Sequence, residues 1–165
     1  MFNEIVVLLD GSVAAERALD AALPAATGCG ARLILARIVG PVAPQGPIPP
    51  ELSRLDARHL EQASEYLEGV RQRLLRTHGV DAEVKTILGD LYESVASLAE
   101  GEGRLLVLTS HGAGGATQRR YGSVARYALD HSRCAVLVVR VSDRHGRLRT
   151  YEEAALAGPA PAPRR

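Results

Sequence analysis

The sequence predicts an α/β protein, a single domain in which a doubly wound sheet of five mainly parallel strands carries helices on both faces. Two observations favour this fold class. Short apolar runs alternate with segments of helical periodicity along the chain as far as Arg140. Most of these runs are apolar on both faces, which is typical of parallel strands covered by helices. Right-handed crossovers would then place helices on each side of the sheet.

The first part of the chain supplies two strands and a helix. Ile5–Leu9 is a continuous apolar run that Asp10, Gly11 and Ser12 interrupt. Ser12 is expected to cap a helix, because small and apolar residues recur after it at helical spacing. Pro24 lacks an N–H, so that helix should kink or end near it, and residues 27–30 should form a turn. The second strand is predicted at Arg32–Val39.

The segment Gly40–Pro50, GPVAPQGPIPP, is too rich in Pro and Gly for a helix or a central strand. Two interpretations stay open for it: a cover over a site, or a stiff connector. A long amphipathic helix should follow from Leu52 to Leu74, with Gly79 as its C-terminal stop.

A strand is predicted at Ala82–Leu88, and a third helix should begin at Asp90, which has capping-box spacing to Glu93. The last third contains a strand at Leu105–Leu108, a helix from about Ser123 to His131, and a strand at Ala135–Val139. We expect one domain over residues 1–141. Residues 142–165, which end in GPAPAPRR, are expected to form a flexible tail.

The composition is that of a globular protein, with 46% hydrophobic and 24% charged residues. A net charge of +1 gives no electrostatic reason to expect nucleic-acid or membrane binding. No apolar run approaches the roughly 18 residues that cross a bilayer, and MFNEIVVLL lacks the basic region of a secretion signal. We therefore expect a cytoplasmic protein in which Cys29 and Cys134 are reduced and buried. The histidines show no metal-ligand spacing, and His111 has no identifiable nucleophile, so it is expected to be solvated.

A small-residue and glycine loop follows the fourth strand, at Thr109–Ala116, and the chain then reaches Gly122 and Ser123. Glycines let backbone amides approach a phosphate, and a helix start adds free N–H groups. Ligands of parallel sheets bind beyond the carboxyl ends of the strands. Asp10 and this loop should therefore meet in one crevice if the first and fourth strands are neighbours. Ser123 could equally be only a helix N-cap.

These residues resemble the universal stress proteins. The nucleotide-binding branch of that family carries the loop G-x2-G-x9-G-[S/T] after its fourth strand. This chain has Thr109-Ser110-His111-Gly112, nine further residues and then Gly122-Ser123, so only the first glycine is replaced, by Thr109. That side chain would either crowd a ligand or hydrogen-bond its sugar. VVLLDGS, LILARIV and GSVARYALDHSRCAVLVVR also resemble family segments, and the likeness covers about residues 1–141.

The resemblance implies strand order 3-2-1-4-5 and a homodimer through the last strand. It also implies ATP, or AMP, ADP or cyclic AMP, in the crevice, with or without Mg²⁺. Asp10 would lie near the base and sugar, and the Ile38 backbone would meet the adenine edge. The phosphates would be held by Gly112, Gly122 and Ser123.

The sequence is compatible with three functions. The leading one is a cytoplasmic, nucleotide-binding stress-response regulator that is not an enzyme and that signals through an unidentified regulatory partner. The second is a nucleotide-free interaction protein of the same fold, in which Thr109 marks a lost site. The third is a weak ATPase or nucleotidyl transferase, for which the sequence offers no positioned general base.

Overall fold

Five parallel strands alternate with helices in the computed structural model, which describes residues 1–41, 50–111 and 121–141. The strands are β1 (Glu4–Leu8), β2 (Arg32–Val39), β3 (Glu83–Leu88), β4 (Arg104–Thr109) and β5 (Ala135–Val139). The helices within these ranges are α1 (Val13–Glu16), α2 (Leu19–Cys29), α3 (Pro50–His78), α4 (Leu91–Leu98) and α5 (Ser123–His131).

The sheet has the order β3-β2-β1-β4-β5, and every pair of neighbours is parallel. This confirms both the fold class and the strand order. In β1, Leu8 lies opposite Ala36, and the Leu9 N–H extends the ladder by donating to the Ala36 carbonyl at 2.8 Å. The carboxyl ends of β1, β2 and β4 therefore lie side by side at one edge of the sheet.

The sheet buries an apolar layer on each face. On one face, Ile5, Val7 and Leu9 pack against α2 and α3, and on the other, Val6 packs against α4 and α5. Because neighbouring residues of a strand point to opposite faces, a strand that is apolar at every position must be covered on both sides. The helices supply that cover, with Leu19, Leu23, Leu67, Val70 and Leu74 on the first face and Val95, Leu98, Ala125 and Ala128 on the second.

The first predicted helix is in fact two. A break at Arg17 and Ala18 separates α1 from α2, and α2 continues through Pro24 to Cys29. Of the two alternatives for Pro24, a kink or an end, the helix end was wrong, and the turn predicted at residues 27–30 was wrong except at Gly30, which adopts a left-handed φ of 61°. Pro24 is tolerated because it lies on the exposed side of α2, while the opposite stripe of Leu and Ala residues is buried.

Other predicted features are confirmed. The Ser12 side chain accepts from the Ala15 N–H at 3.1 Å, as an N-cap does, and Asp90 accepts from the Tyr92 and Glu93 N–H groups. None of the helices in the three described ranges is long and apolar enough to cross a membrane. Both cysteines are free thiols, but the expectation that they are buried was wrong. Cys29 and Cys134 are only half-buried, because each lies at the end of a helix or strand rather than in its middle.

An ionic network closes the amino-terminal edge of the sheet. Glu4 on β1 accepts from Arg104 on β4, from Nε at 3.0 Å and from Nη2 at 2.6 Å, and it also pairs with Arg32 on β2. Arg104 further donates to the carbonyl of Glu100 at 2.6 Å. These bonds, above all those from Arg104, hold the pKa of Glu4 below its ordinary value of 4.5. One carboxylate thus joins three neighbouring strands.

We predict that Glu4→Gln lowers the free energy of unfolding at neutral pH by about 1 kcal/mol, because it weakens charge-assisted bonds to two strands. A carboxylate whose pKa is lowered by folding stabilises the fold above its unfolded pKa, and this contribution is lost as the pH falls through the folded pKa. The deficit of the variant should therefore shrink below pH 4.5. Urea denaturation of the wild type and the variant, at neutral pH and at a series of pH values below 4.5, measures this difference in the free energy of unfolding.

Arg133→Gln is the matched control, since its ion pair with Glu100 is 3.8 Å long and its side chain is 81% exposed. That variant should unfold like the wild type. An equal deficit of Glu4→Gln at every pH would show that the charge of Glu4 is not what stabilises the edge.

Candidate functional site

A cleft opens at the carboxyl edge of the sheet, beyond the ends of β1, β2 and β4. Its volume of about 110 Å³ is several times what one buried water needs. It is lined by Leu8, Leu9, Asp10, Ala15, Ile38, Leu91, Leu108, Thr109 and Val124. Three of the predicted site residues, Asp10, Ile38 and Thr109, therefore lie around one cleft.

The acidic turn after β1 forms one rim of the cleft. Asp10 is exposed, and its Oδ1 accepts from the Ser12 N–H at 2.9 Å. Gly11 has a φ of 89°, a left-handed conformation that side chains rarely adopt. Ser12 in turn caps α1. The turn thus fixes the carboxylate of Asp10 at the mouth of the cleft through local hydrogen bonds.

Thr109, at the end of β4, forms part of the opposite wall. It is only 7% exposed, and its hydroxyl donates to the carbonyl of His111 at 2.9 Å. The hydrogen of this hydroxyl is therefore engaged with the backbone.

The start of α5 is tied to the end of β4. The Gly122 N–H donates to the Ser110 carbonyl at 2.8 Å, and a Cβ on Gly122 would lie 3.4 Å from that oxygen. Gly122 is the N-cap of α5, so the idea that Ser123 serves as N-cap was wrong. Gly122 has the extended backbone of an N-cap, so Ser123 is the first helical residue. The Ser123 side chain is exposed. Its neighbour Val124 lines the cleft.

Several predicted elements fall outside the described residues. Gly112 does, as do Arg119, Arg120 and the greater part of Gly40–Pro50. The described part of the phosphate loop is thus its two ends, Thr109–His111 before it and Gly122–Ser123 after it. These ends are held 2.8 Å apart at the bond between the Gly122 nitrogen and the Ser110 oxygen.

Sequence reasoning missed some of the site. The apolar walls of the cleft were not predicted as site residues; they are Leu8, Leu91, Leu108 and Val124. Ser110 was also missed: its N–H donates to Val139, and its hydroxyl accepts from the Val141 N–H at 3.2 Å. The expectation of a solvated His111 was wrong, since the ring is half-buried with Nδ1 at 3.3 Å from the Ser110 hydroxyl. The sequence signal for Ser110 was its position, since it is a hydroxyl residue directly after the buried strand β4.

Fold and site together define a class: a doubly wound α/β protein with an apolar cleft at the point where the chain order of the strands reverses. The Universal stress protein family profile matches residues 1–140. The chain therefore belongs to the universal stress protein family. No curated protein matches it by sequence alone.

Solved structures of the family are similar to this chain. The universal stress protein UspA from Lactobacillus plantarum is 25% identical with a TM-score of 0.74, covering 84% of this chain and 98% of that one. A universal stress protein in complex with cAMP is 24% identical with a TM-score of 0.64, covering 86% and 99%. A family protein from Arabidopsis thaliana with AMP bound is 16% identical with a TM-score of 0.51, covering 84% and 90%. The last two likenesses show the fold.

Proposed function

We propose that this protein is a cytoplasmic stress-response regulator that binds ATP or a related adenine nucleotide at the carboxyl edge of its sheet. The observation that carries the proposal is the cleft itself. It combines apolar walls, one carboxylate and the start of a helix at the place where the strand order reverses. Two structurally similar family members hold cAMP and AMP, which supports the choice of an adenine nucleotide.

The residues present fit such a ligand. An adenine ring would lie against the apolar walls, with its polar edge toward the Ile38 backbone. Asp10, at the rim, would accept bonds from the sugar hydroxyls. Free N–H groups at the start of α5, the Ser123 hydroxyl and Gly112 would receive the phosphates. No group of three potential metal-ligating side chains lies among the described residues, so any Mg²⁺ would arrive with the phosphates of ATP.

We infer that the protein acts by binding and not by turnover, with any ATP hydrolysis slow and incidental. The described walls of the cleft are mostly hydrocarbon, which holds a base and offers little to activate an attacking water. Binding would then change the surface presented to a regulatory partner protein. Residues 1–141 form the nucleotide-binding domain in this proposal, and the predicted tail at residues 142–165 lies outside the described residues.

Calorimetric titration with ATP, ADP, AMP and cyclic AMP tests the proposal, and at least one of them should bind. Ser123→Ala should weaken ATP binding about ten- to a hundredfold, the worth of one hydrogen bond to a charged group, and leave adenosine binding unchanged. Ser97→Ala, an exposed serine of α4, is the matched control and should not change either affinity. Absence of binding by all four nucleotides at millimolar concentration contradicts the proposal.

The alternative function is a nucleotide-free interaction protein, and Thr109 is the residue that favours it. Its buried side chain stands in the cleft wall where the family motif has glycine. If Thr109 blocks the site, Thr109→Gly should create nucleotide binding that the wild type lacks. If the site is functional, the substitution should change affinity less than about threefold, since the Thr109 hydroxyl already donates to the backbone.

Mass spectrometry of the purified wild-type protein, measuring co-eluting nucleotide, provides the second discriminating measurement. Nucleotide that co-purifies with the wild type is incompatible with the alternative.

We further propose a homodimer through β5. Among the described residues, β5 pairs with β4 alone, and its apolar residue Leu137 is 37% exposed. An unpaired apolar edge strand tends to associate with another strand. Light scattering should report a dimer at micromolar concentration, and Leu137→Lys should shift it toward monomer. Leu75→Lys, at a 47% exposed leucine of α3, should remain dimeric. A monomeric wild type would refute this assembly.

A further inference from the structure

Arg37, which the nucleotide site does not use directly, lies behind the acidic turn. Arg37 and Ile38 are consecutive residues of β2 and so point to opposite faces of the sheet. Ile38 lines the cleft, whereas the Arg37 guanidinium lies on the α3 side, 5.2 Å from the centre of the Tyr66 ring. One strand end thus contributes a wall of the cleft on one face and a cation on the other.

The guanidinium also lies against Gly11. Its Cζ, Nη1 and Nη2 atoms are each 2.9 Å from the position that a Cβ on Gly11 would occupy. The flat group is therefore held between the Tyr66 ring and the backbone of the turn that carries Asp10. Glycine is favoured at this point by the φ of 89°, and a Cβ there would also displace the Arg37 guanidinium.

The other side of this contact is fixed by buried polar groups. The Tyr66 hydroxyl donates to Glu16 Oε1 at 3.0 Å, and Glu16, whose side chain is 13% exposed, also pairs with Arg73. Burial, the nearby charge of Glu16 and the bond to it raise the pKa of Tyr66. The charge of Asp10 raises this pKa further, and that of Arg37 lowers it. Tyr66 stays a protonated donor, so its ring is a rigid support for Arg37.

We propose that Arg37 is a positioning residue for ribonucleotide selection: it supports Gly11 from the far face of the sheet and so holds the Asp10 carboxylate against the sugar hydroxyls. This inference rests on the proposed function, because it assigns the sugar to Asp10. A guanidinium suits the role, since its plane can contact an aromatic ring on one side and a backbone on the other, which an ammonium group cannot do. The selected ligand class is adenine ribonucleotides over their 2′-deoxy counterparts.

The test measures the ratio of AMP to 2′-deoxyAMP affinity by calorimetry. Arg37→Met, which keeps the apolar stem, should lower this ratio about fivefold or more, with AMP losing affinity and 2′-deoxyAMP nearly unchanged. Arg37→Lys should give a ratio between those of the wild type and Arg37→Met. Tyr66→Phe removes the bond to Glu16 and should lower the ratio less than Arg37→Met does. Arg71→Met is the matched control: this arginine lies on α3, the helix that carries Tyr66, but it pairs with Glu68 and Asp81. Its ratio should equal that of the wild type.

A second readout needs no ligand. The Ser12 N–H donates a hydrogen bond to Asp10. Its proton, followed by NMR, should exchange about fivefold faster in Arg37→Met than in the wild type. Unchanged affinity ratios and unchanged Ser12 exchange in a folded variant would overturn the role of Arg37. If the wild type binds no adenine nucleotide, the proposed function fails, and the Ser12 exchange rates then decide by themselves whether Arg37 positions the turn. If Arg37→Met does not fold, Arg37→Lys and Tyr66→Phe decide it by the same two measurements.

Discussion

The parallel pairing of β1 with β2 and β4 is the constraint on which the rest of this protein depends. Ile5 and Val7 are fully buried between two layers of helices, and Val6 is buried on the opposite face. A slip of one residue in register would exchange the two faces of β1, so burial on both sides and the flanking ladders specify one alignment. That alignment brings the chain ends of three strands to the same level, and the cleft exists because they end there together.

Much of this could be predicted from the sequence, since periodicity and turn residues report directly on local structure. Five apolar runs separated by helical stripes were enough for the class of fold, and β5 was placed to the residue at Ala135–Val139. The neighbours of the central strand came from the family resemblance, because apolar patterning carries no information about strand order. The convergence of Asp10, Ile38 and Thr109 then followed from topology, as residues at the carboxyl ends of adjacent parallel strands.

The remaining features depend on tertiary contacts that no local pattern encodes. Pro24 usually ends a helix, yet here burial of the opposite stripe outweighs the loss of one hydrogen bond at the solvent side. Leu108 and Val124 look like ordinary core residues, and only their position at the edge of the sheet makes them walls of a cleft. Arg37 in a strand resembles a surface cation, whereas its partners Gly11 and Tyr66 come from segments far apart in the chain.

The two edges of the sheet bring together different groups. At the amino edge, the charges of Glu4, Arg32 and Arg104 satisfy one another across three strands. At the carboxyl edge, Asp10 is held by its own turn and faces a cleft, and α5 begins at Gly122 without a side-chain cap. A helix start without such a cap keeps N–H groups available to an external acceptor. The same parallel topology thus aligns the strand starts, where ion pairs join three strands, and the strand ends, where the cleft opens.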